Sequence, residues 1–481
     1  SDRIKLIAEK LKTDHLNKEE LKALSDVCYE YSDVFFIEGD KVIGTGLVTH
    51  RIITPTNHPP INTRQYRLAE QQKSEINKQV ADLEQQKVIK KSNSPWNHPL
   101  ILVPKKEGDD GKKKYRLCVD FRKLNAITEG NSWPLPLITD ILDKLGHSKY
   151  FSTLDFANGY HQISIHPDDT HKTAFSTSTG HWEWLKMPFG LKTAPAVFSE
   201  LMHALLSGCE DLNMYAYLDD IVISAESLDS MMKKLKIIFE KLRANNLKLQ
   251  PHKCQFLRKE VVYLGHRLSA EGVKPDESKI ECVRNVPIPK NTTDIKAFLG
   301  LTGYYRRFIE EYAKIAKPLT SLLKKNTKFA WGDAHQYAFE KLKNILIKEP
   351  ILQYPDFEKE FLLTTDASNY ALGCVLSQGE IGIDKPIAYA SRVLNTSEMN
   401  YSTIEKECLG IVFGIKHFRP YLWEKKFRII TDHRPLVWLF NVSDMNSRLA
   451  RWRILLQEFE YEIIYKPGTE NGNADALSRI N

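Results

Sequence analysis

Hydrophobic and polar residues alternate along this chain with two different periods, which predict a mixture of helices and strands. Apolar residues at every third or fourth position, the spacing of an amphipathic helix, run through Ala194 to Leu206 and through Leu228 to Asn245. Short apolar runs between turn-forming residues predict strands at Leu100 to Pro104, Tyr115 to Phe121 and Phe151 to Ile165. Since helices and strands do not alternate regularly, the pattern favours an α+β fold.

The rest of the pattern divides the chain into further blocks. The first forty-odd residues carry two short amphipathic helices, and after Leu268 the spacing is helical until strands resume near Phe361. This change predicts a domain boundary between Leu352 and Glu358. The helices predicted before the boundary are Asp276 to Asn285, Asn291 to Ala313, Ala316 to Lys325 and Asp333 to Lys348.

Length and composition limit the classes of protein to which the chain can belong. Its 481 residues suffice for about three domains, and hydrophobic and charged fractions of 42% and 27% exclude a fibrous or mostly disordered chain. No apolar run approaches the ~20 residues that cross a bilayer, so we expect no membrane partner. Seven scattered cysteines predict reduced thiols, and a formal net charge of +7 suits a polyanionic partner.

Adjacent acids between two apolar half-strands give the first chemical signal. The segment Tyr217-Leu-Asp-Asp220 predicts a hairpin with Asp219 and Asp220 at its tip. A solvated turn is the alternative, but neighbouring like charges repel each other unless they share a cation. Asp155 ends another apolar strand, where a strand-end cap is the alternative. If the strands pair, three carboxylates converge and would suit two Mg²⁺ ions about 3.5–4 Å apart.

Ten short motifs follow one another along the chain. They are Ser94-Pro-Trp, Leu117-Cys-Val-Asp-Phe-Arg-Lys-Leu-Asn125, Asp155-Phe-Ala-Asn-Gly-Tyr160, Met187-Pro-Phe-Gly-Leu-Lys-Thr-Ala-Pro195, Tyr217-Leu-Asp-Asp220, Tyr263-Leu-Gly-His266, Phe298-Leu-Gly-Leu-Thr-Gly-Tyr-Tyr-Arg-Arg307, Thr365-Asp-Ala-Ser368, Thr431-Asp-His433 and Ala474-Asp-Ala-Leu-Ser-Arg479. In this order, the chain from about Thr54 to Asn481 resembles the reverse transcriptase and ribonuclease H portion of a gypsy-type LTR retrotransposon polyprotein, as in Metaviridae-like elements.

The resemblance implies an α+β multidomain fold. A right-hand polymerase with fingers, palm and thumb is expected first, followed by a ribonuclease H-like α/β domain. The expected divisions are an N-terminal helical extension at 1–45, mainly fingers with part of the palm at 46–150, palm with a fingers segment at 151–268, a helical thumb at 269–355 and the ribonuclease H domain at 356–481.

For the polymerase, the resemblance assigns the catalytic metal ions to Asp155, Asp219 and Asp220, with Phe156 beside them. Tyr160 is expected to exclude ribonucleotides by steric contact with the sugar, although a core tyrosine is the alternative. The residues expected to bind the incoming nucleotide are Lys106, Arg116, Tyr160, Phe189 and Gly190. Those expected to contact nucleic acid are Tyr263, Leu264, Gly265, Gly303, Tyr304, Arg306 and Arg307. Without the family, the basic tip 105–114 could be a solvated loop, and the aromatic residues of the last set could be thumb core.

A second set of acids is expected in the terminal block. Asp366 and Asp432 each end an apolar strand, so neighbouring strands could present both at one edge. Between them, Glu407 shares the apolar face of a predicted helix, whereas Glu405 lies on another face. Because an inward carboxylate is costly without a cation, we choose Glu407. Asp475 completes the set of catalytic acids, although a helix-dipole role is the alternative.

Together these features predict an enzyme that synthesises DNA on RNA and DNA templates and cleaves the RNA strand of RNA/DNA hybrids. The expected partners are an RNA template, a DNA primer, the hybrid and dNTPs, with a homodimer on the substrate. Two Mg²⁺ ions are expected in each active site, and Mn²⁺ can substitute. We expect the enzyme in cytoplasmic virus-like particles. The alternatives are an RNA-templated RNA polymerase and a non-catalytic nucleic-acid-binding relic.

Overall fold

The chain forms two units in a computed structural model that describes residues 2–41, 43–104, 115–439 and 447–467. The first unit comprises Ser1–Ile141 and Ser148–Val261, and the second comprises Leu142–His147 and Val262–Asn481. No described helix has the length and apolar character needed to cross a membrane.

From the start of the chain to the end of the first unit, short strands are mixed with helices. The strands are β1 (Thr49–His50), β2 (Ile89–Lys91), β3 (Leu100–Pro104), β4 (Tyr115–Val119), β5 (Tyr150–Asp155), β6 (Ser164–Ile165), β7 (Phe175–Thr177), β8 (Gly180–Trp184), β9 (Met214–Tyr217), β10 (Asp220–Ala225) and β11 (Gln255–Arg258). The helices are α1 (Asp2–Lys10), α2 (Lys18–Glu30), α3 (Glu70–Gln85), α4 (Arg122–Ile127), α5 (Ile138–Lys144), α6 (Ala194–Leu206) and α7 (Leu228–Ala244). Shorter 3₁₀ turns lie at Ser32–Val34, Gly159–Gln162 and Thr170–Thr173.

A four-stranded sheet in the order β11-β5-β10-β9 positions the acids of the first unit. Its central strand β10 is buried along Ile221 to Ala225, because helix α7 packs against it. Helix α7 begins where the side chain of Ser227 accepts a hydrogen bond from the backbone N–H of Ser230. The predicted hairpin of β9 and β10 is confirmed by their antiparallel pairing.

The two strands of the hairpin predicted around the basic tip are also confirmed. Strands β3 and β4 pair antiparallel, with Leu100 opposite Val119 and Pro104 opposite Tyr115. The tip itself, 105–114, lies outside the described residues, and Lys106 lies in it. Strands β2, β8 and β7 form a separate three-stranded sheet.

The second unit contains a helical segment followed by a five-stranded sheet with helices. The strands from the end of the first unit onward are β12 (Glu260–Tyr263), β13 (His266–Ser269), β14 (Gly272–Pro275), β15 (Phe361–Ala367), β16 (Ala371–Gln378), β17 (Lys385–Val393), β18 (Lys426–Thr431) and β19 (Glu460–Tyr465). The helices are α8 (Glu277–Asn285), α9 (Thr292–Tyr304), α10 (Tyr312–Ser321), α11 (Asp333–Ile347), α12 (Thr396–Met399), α13 (Thr403–His417), α14 (Arg419–Leu422), α15 (Leu436–Leu439) and α16 (Ser447–Leu456). A 3₁₀ turn lies at Arg306–Phe308.

The five-stranded sheet has the order β17-β16-β15-β18-β19. Strands β15 and β18 run parallel, so their carboxyl ends lie at the same edge. Helix α13 packs against β15 and β16, and Gly414 permits the close approach. A Cβ atom at Gly414 would lie 3.1 Å from a methyl carbon of Leu363 and 3.4 Å from the Cβ atom of Cys374.

The helix predicted from Asn291 to Ala313 is wrong as a single element. Helix α9 ends at Tyr304, and the chain then makes a 3₁₀ turn before α10 begins at Tyr312. Tyr305 and Phe308 are both buried against the ring of His266, and Glu311 has a left-handed backbone with φ of 52°. Continuous helical spacing at these positions could not show that tertiary packing bends the chain here.

Candidate active sites

A strained two-residue turn presents the first acid pair. Tyr217 lies opposite Asp220 in the hairpin, so Leu218 and Asp219 form the turn. Leu218 has φ of 55°, a left-handed conformation that costs a residue with a Cβ atom about 1–2 kcal/mol. Such strain persists where the surrounding structure imposes it, often at functional sites.

Strand pairing brings the third acid to this turn. Asp155, the last residue of β5, is the direct partner of Asp220 on β10. Burial, followed by the charges of Asp219 and Asp155, raises the pKa of Asp220 to about 6. Burial likewise raises the pKa of Asp155, and the charge of Asp219 adds to the rise. Mutual repulsion of this kind is relieved when the carboxylates share a cation.

Two neighbours of Asp155 were missed in the sequence. The Nζ atom of Lys253 lies 3.6 Å from Asp155 Oδ1, and it lowers the pKa of Asp155 against the effect of burial. The backbone N–H of Asp155 points to the Sγ atom of Cys254 at 3.4 Å. No sequence motif identifies Lys253 or Cys254 as a neighbour of the acid. Both residues directly precede β11, and the pairing of β11 with β5 brings them to Asp155.

Asp155 and Asp219 open into a cavity of about 470 Å³. Three residues expected to bind nucleotide, Arg116, Tyr160 and Phe189, line it together with Asp155 and Asp219. The Phe189 ring contacts both of the others, with its centroid 5.0 Å from the Arg116 guanidinium carbon and 5.0 Å from the Tyr160 ring centroid. A cation is therefore held over an aromatic face beside the carboxylates, which suits a negatively charged ligand.

Phe156 and Gly190 are the other residues predicted at this site that the structure describes. Phe156 also lines the cavity. Gly190 has φ of 94°, a conformation that favours glycine, and its carbonyl accepts a hydrogen bond of 2.9 Å from the Asn125 amide. The Tyr160 ring also contacts Phe198, at 5.5 Å between centroids, so it is held from two sides.

A second acidic cluster lies in the second unit. Asp366 lies near the end of β15, Asp432 directly follows β18, and Glu407 projects from α13. One potential ligand atom from each residue lies within 4.8 Å of the others. The three acids therefore form a possible metal site within the described part of the chain. The fourth predicted acid, Asp475, lies outside the described residues.

Glu407 has the electrostatic character of a metal ligand. The residue is 5% exposed, and its Oε2 atom has no hydrogen-bond partner within the described part of the chain. Burial, followed by the charges of Asp366 and Asp432, raises its pKa to about 8. Carboxylate oxygens are the ligands that Mg²⁺ and Mn²⁺ prefer, so this donor set fits a divalent cation.

Glu405 has a different, structural position. Its backbone N–H and its carboxylate form a capping box with Ser402 at the start of α13. The carboxylate also pairs with the Arg448 guanidinium at 2.7 Å. Its charge is thus partnered within the fold, unlike the orphaned oxygen of Glu407.

The predicted contacts to nucleic acid divide into a turn and an aromatic group. Leu264 and Gly265 form the turn between β12 and β13, with φ of 50° and 71°. The Tyr304 hydroxyl donates to the Leu264 carbonyl, and the Tyr305 hydroxyl donates to the Gly265 carbonyl, at 2.7 and 2.6 Å. Tyr304 is 46% exposed, whereas Tyr263 is buried. A Cβ atom at Gly303 would lie 3.4 Å from the Tyr312 hydroxyl.

Both arginines of the predicted set make contacts inside the second unit. Arg306 donates to the backbone carbonyl of Ser391 at 3.0 Å. Arg307 forms an ion pair with Asp143 at 3.1 Å, and the two side chains are only 15% and 10% exposed. Their guanidinium groups thus hold the helical segment within the unit; duplex contact by them stays a prediction.

Comparison with known proteins assigns both units to one family. Residues 103–268 match the family described as reverse transcriptase (RNA-dependent DNA polymerase), and residues 356–459 match the RNase H-like domain found in reverse transcriptase. Over 477 residues the chain is 46% identical to the retrovirus-related Pol polyprotein from transposon 297 of Drosophila melanogaster. The chain belongs to the reverse transcriptases of LTR retrotransposons. The alignment covers 99% of this chain but only 45% of that polyprotein.

Solved structures show the same architecture. The foamy viral protease-reverse transcriptase in complex with dsDNA has a TM-score of 0.82 and 25% identity, with 97% of each chain covered. The same viral protein in complex with an RNA/DNA hybrid has a TM-score of 0.74, with 97% of this chain and 63% of the viral chain covered. The predicted fold class, a polymerase followed by a ribonuclease H-like domain, is confirmed.

Proposed function

We propose that this chain synthesises DNA on RNA and DNA templates and cleaves the RNA strand of the resulting hybrid. The observation that carries the proposal is the presence of two acid clusters, one in each unit: Asp155 opposite Asp220 beside Asp219, and Asp366 with Glu407 and Asp432. Reverse transcriptase and ribonuclease H-like domains match the same two regions. The foamy viral complexes with dsDNA and hybrid support nucleic acid as the substrate.

In the polymerase site, the chain binds and orients the reactants. Asp155, Asp219 and Asp220 would hold two Mg²⁺ ions, which supply charge stabilisation for nucleotidyl transfer. Arg116 stacks on Phe189 at the cavity wall, where its guanidinium can neutralise the triphosphate of an incoming dNTP. Tyr160 is fixed by Phe189 and Phe198, so a ribose 2′-hydroxyl would meet a ring that cannot easily move.

In the nuclease site, Asp366, Glu407 and Asp432 would hold two divalent ions that activate water for phosphodiester hydrolysis. Glu407 is mostly protonated near neutral pH when no cation is bound, because its pKa is raised to about 8. Cation binding therefore displaces a proton from this carboxylate.

One assay tests both activities. A labelled DNA primer is annealed to a differently labelled RNA template and incubated with the chain, with dNTPs or rNTPs, in Mg²⁺ or in EDTA. We expect primer extension with dNTPs and template cleavage, both dependent on Mg²⁺. Efficient extension with rNTPs would favour an RNA polymerase, and hybrid binding without turnover would favour a catalytically inactive relic.

Two variants test whether the sites are separate. Asp219→Asn should abolish extension and retain cleavage of a preformed hybrid, whereas Asp432→Asn should do the reverse. Loss of both activities in either variant, with thermal unfolding unchanged, would contradict two independent sites.

We also propose that the enzyme acts in cytoplasmic virus-like particles and pairs as a homodimer on its substrate. The likeness to Pol polyproteins of transposons supports the first statement, and the second rests on the family resemblance. Sedimentation of particle-associated activity tests the location, and light scattering with and without hybrid tests pairing.

A further inference from the structure

Helix α10 lies over the nuclease sheet at the row of residues that contains Asp366. Asp366 on β15 pairs directly with Gly373 on β16, and Gly373 pairs with Ser391 on β17. Residues paired in this way place their side chains on the same face of a sheet. The Ser391 hydroxyl accepts a hydrogen bond of 2.9 Å from the backbone N–H of Ala313, in the first turn of α10.

The next strand of this row, β16, is covered by the start of the same helix. The Cγ atom of Glu311 lies 3.9 Å from the position that a Cβ atom would take at Gly373. Glu311 binds the Lys314 ammonium at 2.7 Å, so Lys314 is held beside β16, at the residue that pairs with Asp366 on the neighbouring strand.

A second lysine lies one helical turn further on. The Lys317 ammonium lies 4.4 Å from the ring centroid of Tyr370, in the loop that joins β15 to β16. Residues three apart in a helix lie on the same side, so Lys314 and Lys317 face the edge of the nuclease site together. Neither residue lies in the segment 356–459 that matches the ribonuclease H-like family.

The ion pair that holds Lys314 can be exchanged for another anion. The side chains of Lys314 and Glu311 are 34% and 32% exposed, and partly exposed ion pairs contribute little to stability. A nucleic-acid phosphate offers a lysine the same charge-assisted hydrogen bond as a carboxylate does. The negative charge of Asp366 is separately neutralised when divalent ions bind, so a phosphate beside the acids is not excluded by charge.

We propose that Lys314 and Lys317 of α10 bind backbone phosphates of the RNA/DNA hybrid next to the nuclease acids, so that the nuclease site includes residues of the helical segment. This inference rests on the nuclease activity proposed above. It assigns the two lysines a role in positioning the hybrid, while the acids carry the hydrolysis.

The test is hybrid cleavage by the full chain with single and double substitutions. Lys314→Ala should raise KM for a preformed hybrid about five- to tenfold with little change in kcat, since about 1.4 kcal/mol corresponds to a factor of ten. Lys317→Ala should act in the same direction, and Lys314→Arg should restore most of the affinity. Each lost phosphate contact should also reduce the salt dependence of binding, the slope of log K against log salt, by about 0.9.

Two controls separate this role from a purely structural one. Lys324→Ala removes an exposed lysine just beyond α10 and should leave KM unchanged. Primer extension on a DNA template and the thermal unfolding temperature should be unchanged in every variant. An unchanged KM and salt slope in the double variant would overturn the inference. Faster cleavage by Lys314→Ala would also overturn it, since it would show that Lys314 only covers the acids. If the unsubstituted chain does not cleave hybrid at all, the proposed function itself fails.

Discussion

A buried carboxylate with an unpaired oxygen destabilises the folded chain when it is ionised, and Glu407 is in that position because its Oε2 atom has no hydrogen-bond partner among the described residues. Its pKa is raised to about 8, from an ordinary value of 4.5. Between these two values the folded state binds more protons than the unfolded state does. The free energy of unfolding therefore falls as pH rises from about 4.5 to about 8 in the absence of metal.

We predict that Glu407→Gln stabilises the metal-free protein at pH 8 by at least about 1 kcal/mol and changes stability little at pH 5. The neutral amide removes the cost of burying a charge at pH 8, whereas the native carboxyl is already protonated at pH 5. Thermal unfolding in EDTA at the two pH values measures the difference. The same variant should lose hybrid cleavage.

Glu405→Gln is the matched control for this prediction, since it lies on the same helix. Glu405 caps α13 and pairs with Arg448, and those contacts lower its pKa against the effect of burial. Its substitution should therefore destabilise the protein at pH 8. Equal effects of Glu407→Gln at both pH values would show that charge burial is not what raises the pKa.

At the scale of elements, the placement of Glu407 depends on how closely α13 approaches its sheet. Gly414 makes this approach possible, because a side chain there would press on Leu363 and Cys374 of β15 and β16. The helix carries Glu407 on its buried face, so a displacement of α13 would move the carboxylate away from Asp366.

Gly414→Val should destabilise the protein by about 1–3 kcal/mol and reduce hybrid cleavage, because overpacking shifts the helix. Primer extension should be retained. Denaturant unfolding and the two activity assays measure these effects. Gly300→Ala is the control, since a Cβ atom at this helical glycine of α9 would meet no neighbour within 4 Å. It should stabilise the helix, by up to about 1 kcal/mol.

At the scale of the whole molecule, each unit carries its own group of acids, and each group is destabilised by its own negative charge. Divalent ions that bind only the folded state stabilise it by mass action. We predict that Mg²⁺ at a hundredfold excess over its Kd stabilises the chain by about 2.7 kcal/mol per occupied site. Calorimetric unfolding with Mg²⁺ or EDTA measures this gain.

The double variant Asp219→Asn and Asp432→Asn is the control for metal binding. It keeps the fold and the remaining carboxylates but removes one acid from each group. Its stabilisation by Mg²⁺ should be much smaller than that of the unsubstituted chain. An equal gain in both proteins would place the stabilising ions elsewhere.

Local patterns in the sequence determined the elements that carry the acids. Two apolar half-strands around Asp219 and Asp220 are sufficient to predict a hairpin, because strand alternation and turn preference act within a few residues. Helical periodicity was likewise sufficient to choose Glu407 as the residue of α13 that joins Asp366 and Asp432. Glu405 is also buried, but its carboxylate caps the helix and pairs with Arg448. The ordered motifs then indicated the family and the fold class, which the comparisons confirmed.

Contacts between distant segments were decided only by the tertiary structure. The break after Tyr304, which places Glu311 and Lys314 over the nuclease sheet, arises because Tyr305 and Phe308 pack against His266. Lys253 reaches Asp155 through strand pairing in the same way. Such contacts depend on the burial of surfaces that meet only after the chain has folded, and no local window of sequence contains both partners.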